Sequence, residues 1–207
     1  MRETTKKLWD KQNQHPDDRF RLFRAVGEFI APEKVLYAGS YVDVAPSFVF
    51  SDVTYVDMDR RAARFFKDEE SVREIIEAQG SAPENGRFHF IHSDYSELEL
   101  PERSFDLLIS LFAGFISEHC TRFLRAGGHL LVNPSHGDAA LASIDERYGL
   151  AGVIHSRSGG YRVSRENLGD HLRPKKPVDV TREMLFSTNR GVAYTRPAFA
   201  YVFKRVE

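Results

Sequence analysis

Residues 35–59 have the sequence VLYAGSYVDVAPSFVFSDVTYVDMD. Two short apolar runs, 35–38 and 53–56, lie on either side of a segment that begins with Gly39, and Asp57 directly follows the second run. Short apolar runs are typical of strands buried on both faces, and glycine is typical of a tight turn at a strand end. This stretch therefore predicts two parallel strands of an α/β domain, joined by a short crossover and ending on a carboxylate.

The remaining sequence alternates between helical periodicity and short apolar runs. It predicts helices over residues 7–14, 18–30 and 59–79 and strands over residues 88–91, 107–109, 130–132, 152–154 and 198–206. We also expect Gly127 and Gly128 to end a helix, Ser164 and Thr181 to cap helices, and residues 191–193 to pair with the last strand. Since parallel strands need helical crossovers, the pattern predicts an α/β, doubly wound three-layer sandwich, mostly parallel, with a C-terminal antiparallel hairpin.

Two later segments carry a specific resemblance. Residues 93–110, SDYSELELPERSFDLLIS, and residues 123–132, FLRAGGHLLV, resemble the segments of class I S-adenosylmethionine-dependent methyltransferases that join the third strand to the fourth and enter the fifth. Asp57 matches the acidic residue that ends the second strand in that family. The resemblance spans residues 34–132 and implies a Rossmann-like fold, S-adenosyl-L-methionine as cofactor and methyl transfer as the activity.

The resemblance implies a cofactor site made of Gly39, Ser40, Asp57, Met58, Asp94 and Tyr95. A carboxylate at the end of the second strand can accept hydrogen bonds from both ribose hydroxyls. Asp94 is expected to accept from the adenine amino group and the Tyr95 amide to donate to a ring nitrogen, while Met58 covers an adenine face. Gly39 and Ser40 are expected to line the methionine end. Helix capping or loop solvation is the alternative role for the two aspartates.

The first loop departs from the family pattern, which has an acidic residue in the first strand followed by Gly-x-Gly-x-Gly. Tyr37 stands where the acid is expected, and the loop keeps only Gly39. Asp43 is the nearest residue that could restore a negative charge. The departure motivates an alternative, a non-catalytic methyltransferase-like binding or scaffold protein. A dinucleotide-binding domain is less favoured because Gly-x-Gly-x-x-Gly is absent.

The sequence singles out no catalytic group. Methyl transfer from a sulfonium is an in-line displacement that depends mainly on positioning, and a base is needed only where a proton must leave the acceptor. His136 is the candidate base by position, although a loop histidine is the commoner role. Aromatic residues that either line an acceptor pocket or simply pack are Tyr41, Phe112, Phe115 and Tyr161. No metal site is predicted, because the histidines lack a ligand spacing.

Charge is distributed unevenly along the chain. Residues 1–150 contain 18 Lys and Arg against 25 Asp and Glu, whereas residues 151–207 contain 11 against 5. The basic C-terminal part would suit an anionic substrate or nucleic acid, but a solvated surface is the simpler interpretation because aromatic residues are not interleaved with the charges. We expect a small-molecule acceptor, with nucleic acid as the less favoured partner. The sequence indicates no oligomeric state.

Length and composition are those of an ordinary globular protein, with 207 residues of which 42% are apolar and 29% charged. We predict one methyltransferase-like domain over 1–207, made of N-terminal helices (1–32), a nucleoside-binding core (33–150) and a C-terminal sheet edge with a basic segment (151–207). The single cysteine excludes an internal disulfide. Because no apolar stretch is long enough to span a bilayer, we expect a cytoplasmic protein without a membrane partner.

Overall fold

The computed structural model describes all residues, 1–207. They form two compact units, Met1–Glu99 and Leu100–Glu207. The organisation as one domain with three subdivisions stays a prediction. No helix has the length and apolar character needed to cross a membrane.

The first unit contains a parallel set of strands. Its strands are β1 (Val35–Ala38), β2 (Asp52–Asp57) and β3 (Arg87–His92), in the order β3-β2-β1. Its helices are α1 (Glu3–Gln12), α2 (Asp18–Ile30), α3 (Arg60–Phe66) and α4 (Glu69–Ala78). β1 is buried along its whole length, as its apolar run predicts. A single 3₁₀ turn, Ala45–Phe48, forms the crossover from β1 to β2, and Pro46 lies within it.

The long helix predicted over residues 59–79 is wrong, because two helices occupy this segment. Asp68 leaves the helical conformation between them, with φ −92° and ψ 62°. Its buried carboxylate accepts a hydrogen bond of 2.5 Å from the Thr5 hydroxyl and lies 3.5 Å from the Arg2 guanidinium. The buried carboxylate of Asp68 thus finds its partners in Thr5 of α1 and in Arg2, which precedes α1, and the helix breaks at this residue. The apolar periodicity of the sequence contains no signal for such a contact.

The second unit combines parallel and antiparallel strands. Its strands are β4 (Phe105–Ser110), β5 (Leu124–Val132), β6 (Tyr148–Arg157), β7 (Gly160–Ser164) and β8 (Ala200–Arg205), in the order β4-β5-β8-β6-β7. β4 and β5 are parallel, and the other neighbours are antiparallel. Its helices are α5 (Ile116–Cys120), α6 (Asp138–Ser143), α7 (Leu168–His171) and α8 (Arg182–Thr188). The prediction of antiparallel C-terminal strands is confirmed.

The hairpin itself lies elsewhere than predicted. β6 and β7 form it, whereas residues 191–193 form no strand. A side chain at Gly191 would place its Cβ 2.1 Å from the Pro134 carbonyl oxygen, and Val192 packs on a small cluster around Ala140, Leu141 and Leu185. This apolar segment therefore packs against neighbouring residues and does not pair with a strand.

Two further local predictions fail and one is confirmed. Gly127 and Gly128 do not end a helix, since they lie inside β5, where Gly127 has φ +77° and the register with β4 shifts. This is the geometry of a β-bulge, which glycine accommodates. Ser164 ends β7 instead of starting a helix. Thr181 does cap α8, because its hydroxyl accepts from the Met184 amide at 3.2 Å.

Candidate functional site

The predicted cofactor residues lie together in the first unit. Because β1, β2 and β3 are parallel neighbours, their carboxyl ends meet at one edge, and the register pairs Ala38 with Val56 and Asp57 with His92. The residues that follow these strand ends are Gly39 and Ser40, Asp57 and Met58, and Asp94 and Tyr95. Doubly wound sheets bind their ligands at this edge. The contact of each residue with a cofactor stays a prediction.

Asp57 is held by two backbone amides. Its Oδ2 accepts from the Tyr41 amide at 2.6 Å and its Oδ1 from the Asp59 amide at 2.7 Å. The side chain is half-buried. A carboxylate offers about four acceptor positions, so both oxygens keep the capacity to accept a second hydrogen bond. The arrangement fixes the carboxylate and leaves it able to bind two hydroxyl groups.

The backbone of the first loop turns tightly after β1. The amides of Gly39 and Ser40 both donate to the Val56 carbonyl, at 2.9 and 3.2 Å. Gly39 has φ +70°, a conformation that favours glycine. The Ser40 side chain is buried and its hydroxyl donates to the Tyr41 carbonyl at 3.4 Å. The Ser40 hydroxyl is therefore already hydrogen-bonded within the loop, and we expect its backbone to be the part that lines a ligand site.

Tyr41 occupies the position of the second glycine of the family pattern. Its φ is +48°, so the chain keeps the left-handed conformation that glycine serves in such loops. The Arg61 guanidinium lies 5.2 Å from the centre of the Tyr41 ring. Arg61 also donates to both carboxylate oxygens of Asp59, at 3.1 and 2.6 Å. The ring is thus fixed beside the carboxyl end of β2.

Asp43 is not the free negative charge that the sequence suggested. Its carboxylate is 1% exposed and accepts from Arg19 through Nε at 2.9 Å and Nη2 at 2.5 Å. The Tyr37 hydroxyl donates to the same oxygen at 3.2 Å, and the Ala45 amide donates to the other. Burial, followed by the charge of Asp43, raises the pKa of the Tyr37 hydroxyl, which therefore stays neutral. Sequence reasoning missed Arg19, since 24 residues separate it from Asp43.

The remaining cofactor residues lie after β2 and β3. The Met58 side chain is 64% exposed, and its carbonyl oxygen lies 3.0 Å from His92 Nε2. Asp94 Oδ1 accepts from the amide and the hydroxyl of Ser96, at 2.9 and 2.8 Å. Asp94 therefore caps the 3₁₀ turn that begins at Tyr95, which is the capping role that the sequence left open for this aspartate.

The candidate acceptor residues of the second unit differ in environment. Phe112 follows β4 with φ +57° and an exposed ring, and its amide donates to the Asn133 side chain at 3.1 Å. His136 follows β5 with φ +58°, is exposed, and has Nδ1 2.6 Å from the Ser135 hydroxyl. Phe115 and Tyr161 instead make close ring contacts, with Phe186 at 4.5 Å and Phe199 at 5.0 Å respectively. Packing accounts for this last pair.

A buried carboxylate at the end of β4 was not predicted. Asp138 accepts from the hydroxyls of Ser110 and Ser117, both at 2.5 Å, and from the Ser117 amide. Burial raises the pKa of Asp138 to about 6. The sequence gives no signal for this cluster, because its members come from three separate elements. No group of three or more His, Cys, Asp and Glu residues could hold a metal ion.

Solved structures share this fold. N-methyltransferase NodS from Bradyrhizobium japonicum WM9, in complex with S-adenosyl-L-homocysteine, is 12% identical over 100% of both chains, with a TM-score of 0.53. Phosphoethanolamine N-methyltransferase 1 from Haemonchus contortus is 13% identical over 99% of this chain and 48% of its own, with a TM-score of 0.51. The PH0226 protein from Pyrococcus horikoshii OT3 is 15% identical over 93% and 92%, with a TM-score of 0.51.

These likenesses show the fold of class I S-adenosylmethionine-dependent methyltransferases, so the predicted α/β, doubly wound, Rossmann-like architecture is confirmed. The chain spans less than two thirds of several other matched structures, between 44% and 61% of their length. No protein-family model matches the sequence. No curated protein matches it either.

Proposed function

We propose that this protein is an S-adenosylmethionine-dependent methyltransferase. The observation that carries the proposal is the position of Asp57, which two backbone amides fix at the carboxyl end of β2. It lies at one strand edge with Gly39 and Asp94, in a fold that also belongs to a solved complex with S-adenosyl-L-homocysteine. The nucleoside half of the cofactor fits these residues, whereas the loop expected at the methionine half is altered.

Each residue has a proposed role in holding the cofactor. Asp57 accepts hydrogen bonds from the ribose hydroxyls, and the exposed Met58 side chain covers an adenine face. Asp94 and the Tyr95 amide contact the adenine edge. The backbone of Gly39 and Ser40 lines the methionine end. Since Arg19 neutralises Asp43, the ammonium group must find its partner among backbone carbonyls.

The cofactor, when bound, supplies a methyl group on a sulfonium, which is already activated for displacement. The protein's part is to align the acceptor with it and to exclude water. No catalytic base is assigned.

The acceptor is proposed to be a small molecule. The Haemonchus enzyme, which shares the fold, was solved with phosphoethanolamine, a small amine. A nucleic-acid acceptor is the less favoured alternative. A cytoplasmic location stays a prediction, which fractionation of cells would test.

Titration calorimetry with S-adenosylmethionine and S-adenosylhomocysteine tests the proposal. We expect both to bind, and we expect Asp57→Asn to weaken binding at least about tenfold, because two hydrogen bonds to a charged acceptor are altered. Asp52→Asn is the matched control, since Asp52 lies at the opposite end of β2 and pairs with Arg87. Its affinity should equal that of the unaltered protein.

The absence of binding at about 1 mM ligand by a protein that is folded by circular dichroism would overturn the proposal. The second candidate, a non-catalytic binding or scaffold protein, would then be favoured. Its supporting observation is the altered first loop. Tyr41 stands where the family pattern has a glycine, and the Asp43 carboxylate forms an ion pair with Arg19. Methyl transfer to any acceptor would exclude this second candidate.

A further inference from the structure

A polar pocket of about 210 Å³ lies in the second unit, among β6, β7 and α7. Two arginines and two histidines line it, Arg162, Arg196, His155 and His171. Ser164 and Asn167 add neutral polar groups, and Glu166 is the single carboxylate. The sequence gives no signal for this group beyond the excess of basic residues after residue 150.

Strand register explains how these residues meet. β6 and β7 pair His155 with Arg162 across the hairpin. β8 pairs Tyr201 with Val132 on one side and Ala200 with Ile154 on the other, so His155 lies at the edge where β5 ends. The pocket therefore lies near the carboxyl end of β5.

His171 lines the pocket as a buried side chain. It is 2% exposed, so its position is fixed by packing. Its Nδ1 lies 2.8 Å from the carbonyl oxygen of Arg196, which requires this nitrogen to carry the hydrogen. No protein group bonds its Nε2, so this nitrogen is left to a ligand in the pocket. The ring centre lies 5.1 Å from that of His155.

The pocket carries an excess of positive charge. Arg162 forms no ion pair. The Asp170 carboxylate is shared by two arginines, with Oδ2 at 3.2 Å from Arg196 Nη1 and Oδ1 at 3.5 Å from Arg173 Nη2. Burial, followed by the charges of His171, Arg196 and Arg162, lowers the pKa of His155. Glu166 is the one carboxylate among the lining residues, and it is exposed. The guanidinium groups are thus short of carboxylate partners.

We propose that this pocket binds an oxyanion, a phosphoryl or carboxylate group of a small molecule. Guanidinium groups present several donors in a planar fork that matches such oxygens, and charge-assisted hydrogen bonds are stronger than neutral ones. Arg162 supplies an unpaired guanidinium, Arg196 a shared one, and Ser164 and Asn167 neutral donors. The site is independent of methyl transfer and is tested by binding alone.

The test measures binding of inorganic phosphate and of acetate by calorimetry at constant ionic strength, with both histidine rings followed by NMR. We expect saturable binding of at least one anion and a rise of the His155 pKa when it binds, because the anion offsets the neighbouring positive charges. Comparison of the two anions decides between a phosphoryl and a carboxylate ligand. Arg162→Gln should weaken the binding about tenfold.

Two variants make the result specific. Arg157→Gln removes the same charge from the same hairpin, but Arg157 lies outside the pocket, so its affinity should be unchanged. Glu166→Gln removes the opposing charge and should strengthen the binding about threefold. Failure of both anions to saturate at about 20 mM, well above a Kd of 1 mM, or equal losses in Arg157→Gln and Arg162→Gln, would overturn the proposal.

Discussion

Tyr41 shows, at the scale of one residue, that a bulky side chain can occupy a backbone conformation that favours glycine. Its φ of +48° lies in the left-handed region, which costs an ordinary residue about 1 kcal/mol. The contact of its ring with Arg61 offsets part of this cost. The loop thus combines a left-handed backbone conformation with an aromatic ring held beside Arg61.

We predict that Tyr41→Gly unfolds with a free energy about 1 kcal/mol higher than Tyr41→Ala. Both changes remove the ring, but only glycine relieves the positive φ. Urea denaturation of the two variants measures the difference. Alanine equal to or better than glycine would mean that the loop does not hold this conformation in solution.

Asp138 makes folding stability depend on pH. Its pKa rises from 3.8 to about 6 on burial, so the folded state binds the proton more tightly than the unfolded chain. Its contribution to stability therefore falls as pH rises from about 4 to about 6, by about 3 kcal/mol in total. We predict that Asp138→Asn gains stability relative to the unaltered protein over this window. Denaturation at pH 4, 5, 6 and 7 measures the gain.

Asp145→Asn is a control of opposite sign. Burial opposes the shift, but hydrogen bonds from Arg147 prevail and lower the pKa of Asp145. Asp145 therefore stabilises the protein above the unfolded pKa, and this contribution is lost as pH falls. If the two variants responded to pH in the same direction, the assignment for Asp138 would be wrong.

At the scale of elements, an ion pair ties α2 to the loop after β1. Arg19 of α2 donates twice to the buried Asp43, and removal of one partner would leave the other charge buried and unpaired. We predict that Arg19→Met lowers the free energy of unfolding by about 3 kcal/mol. Arg24→Met on the same helix should cost less than about 1 kcal/mol, because the Arg24–Glu28 pair is exposed at 3.8 Å. Equal losses would show that Asp43 does not depend on Arg19.

The elements also show which parts of the structure were predictable. β1 to β5 were found because short apolar runs between helices are typical of buried parallel strands, and Asp57 was found because its position follows from the end of β2. The break at Asp68 and the bulge at Gly127 were missed, since each depends on a contact with another element. The same reason applies to Arg19 in the first unit and to Asp138 in the second, whose partners are distant in sequence. Local pattern gives strands and strand ends, but not the partners of buried charges.

At the scale of the whole molecule, ion pairs within the second unit reduce the effect of its basic composition. Arg147, Arg173, Arg182 and Arg196 are each paired with a carboxylate. We predict that the protein is not retained by RNA near physiological ionic strength. Retention on an RNA column, with an affinity that falls steeply as salt is raised, would instead support a nucleic-acid partner.

The terminal strands of the two units have a consequence for self-association. β3 ends the strand order of the first unit and exposes Arg87, His89 and His92, while β7 ends that of the second with the exposed Arg162 near its middle. Charged side chains on a terminal strand make it a poor template for a strand from another molecule. Both edges therefore resist the edge-to-edge pairing that leads to aggregation, and neutralising Arg162 or Arg87 would weaken that protection.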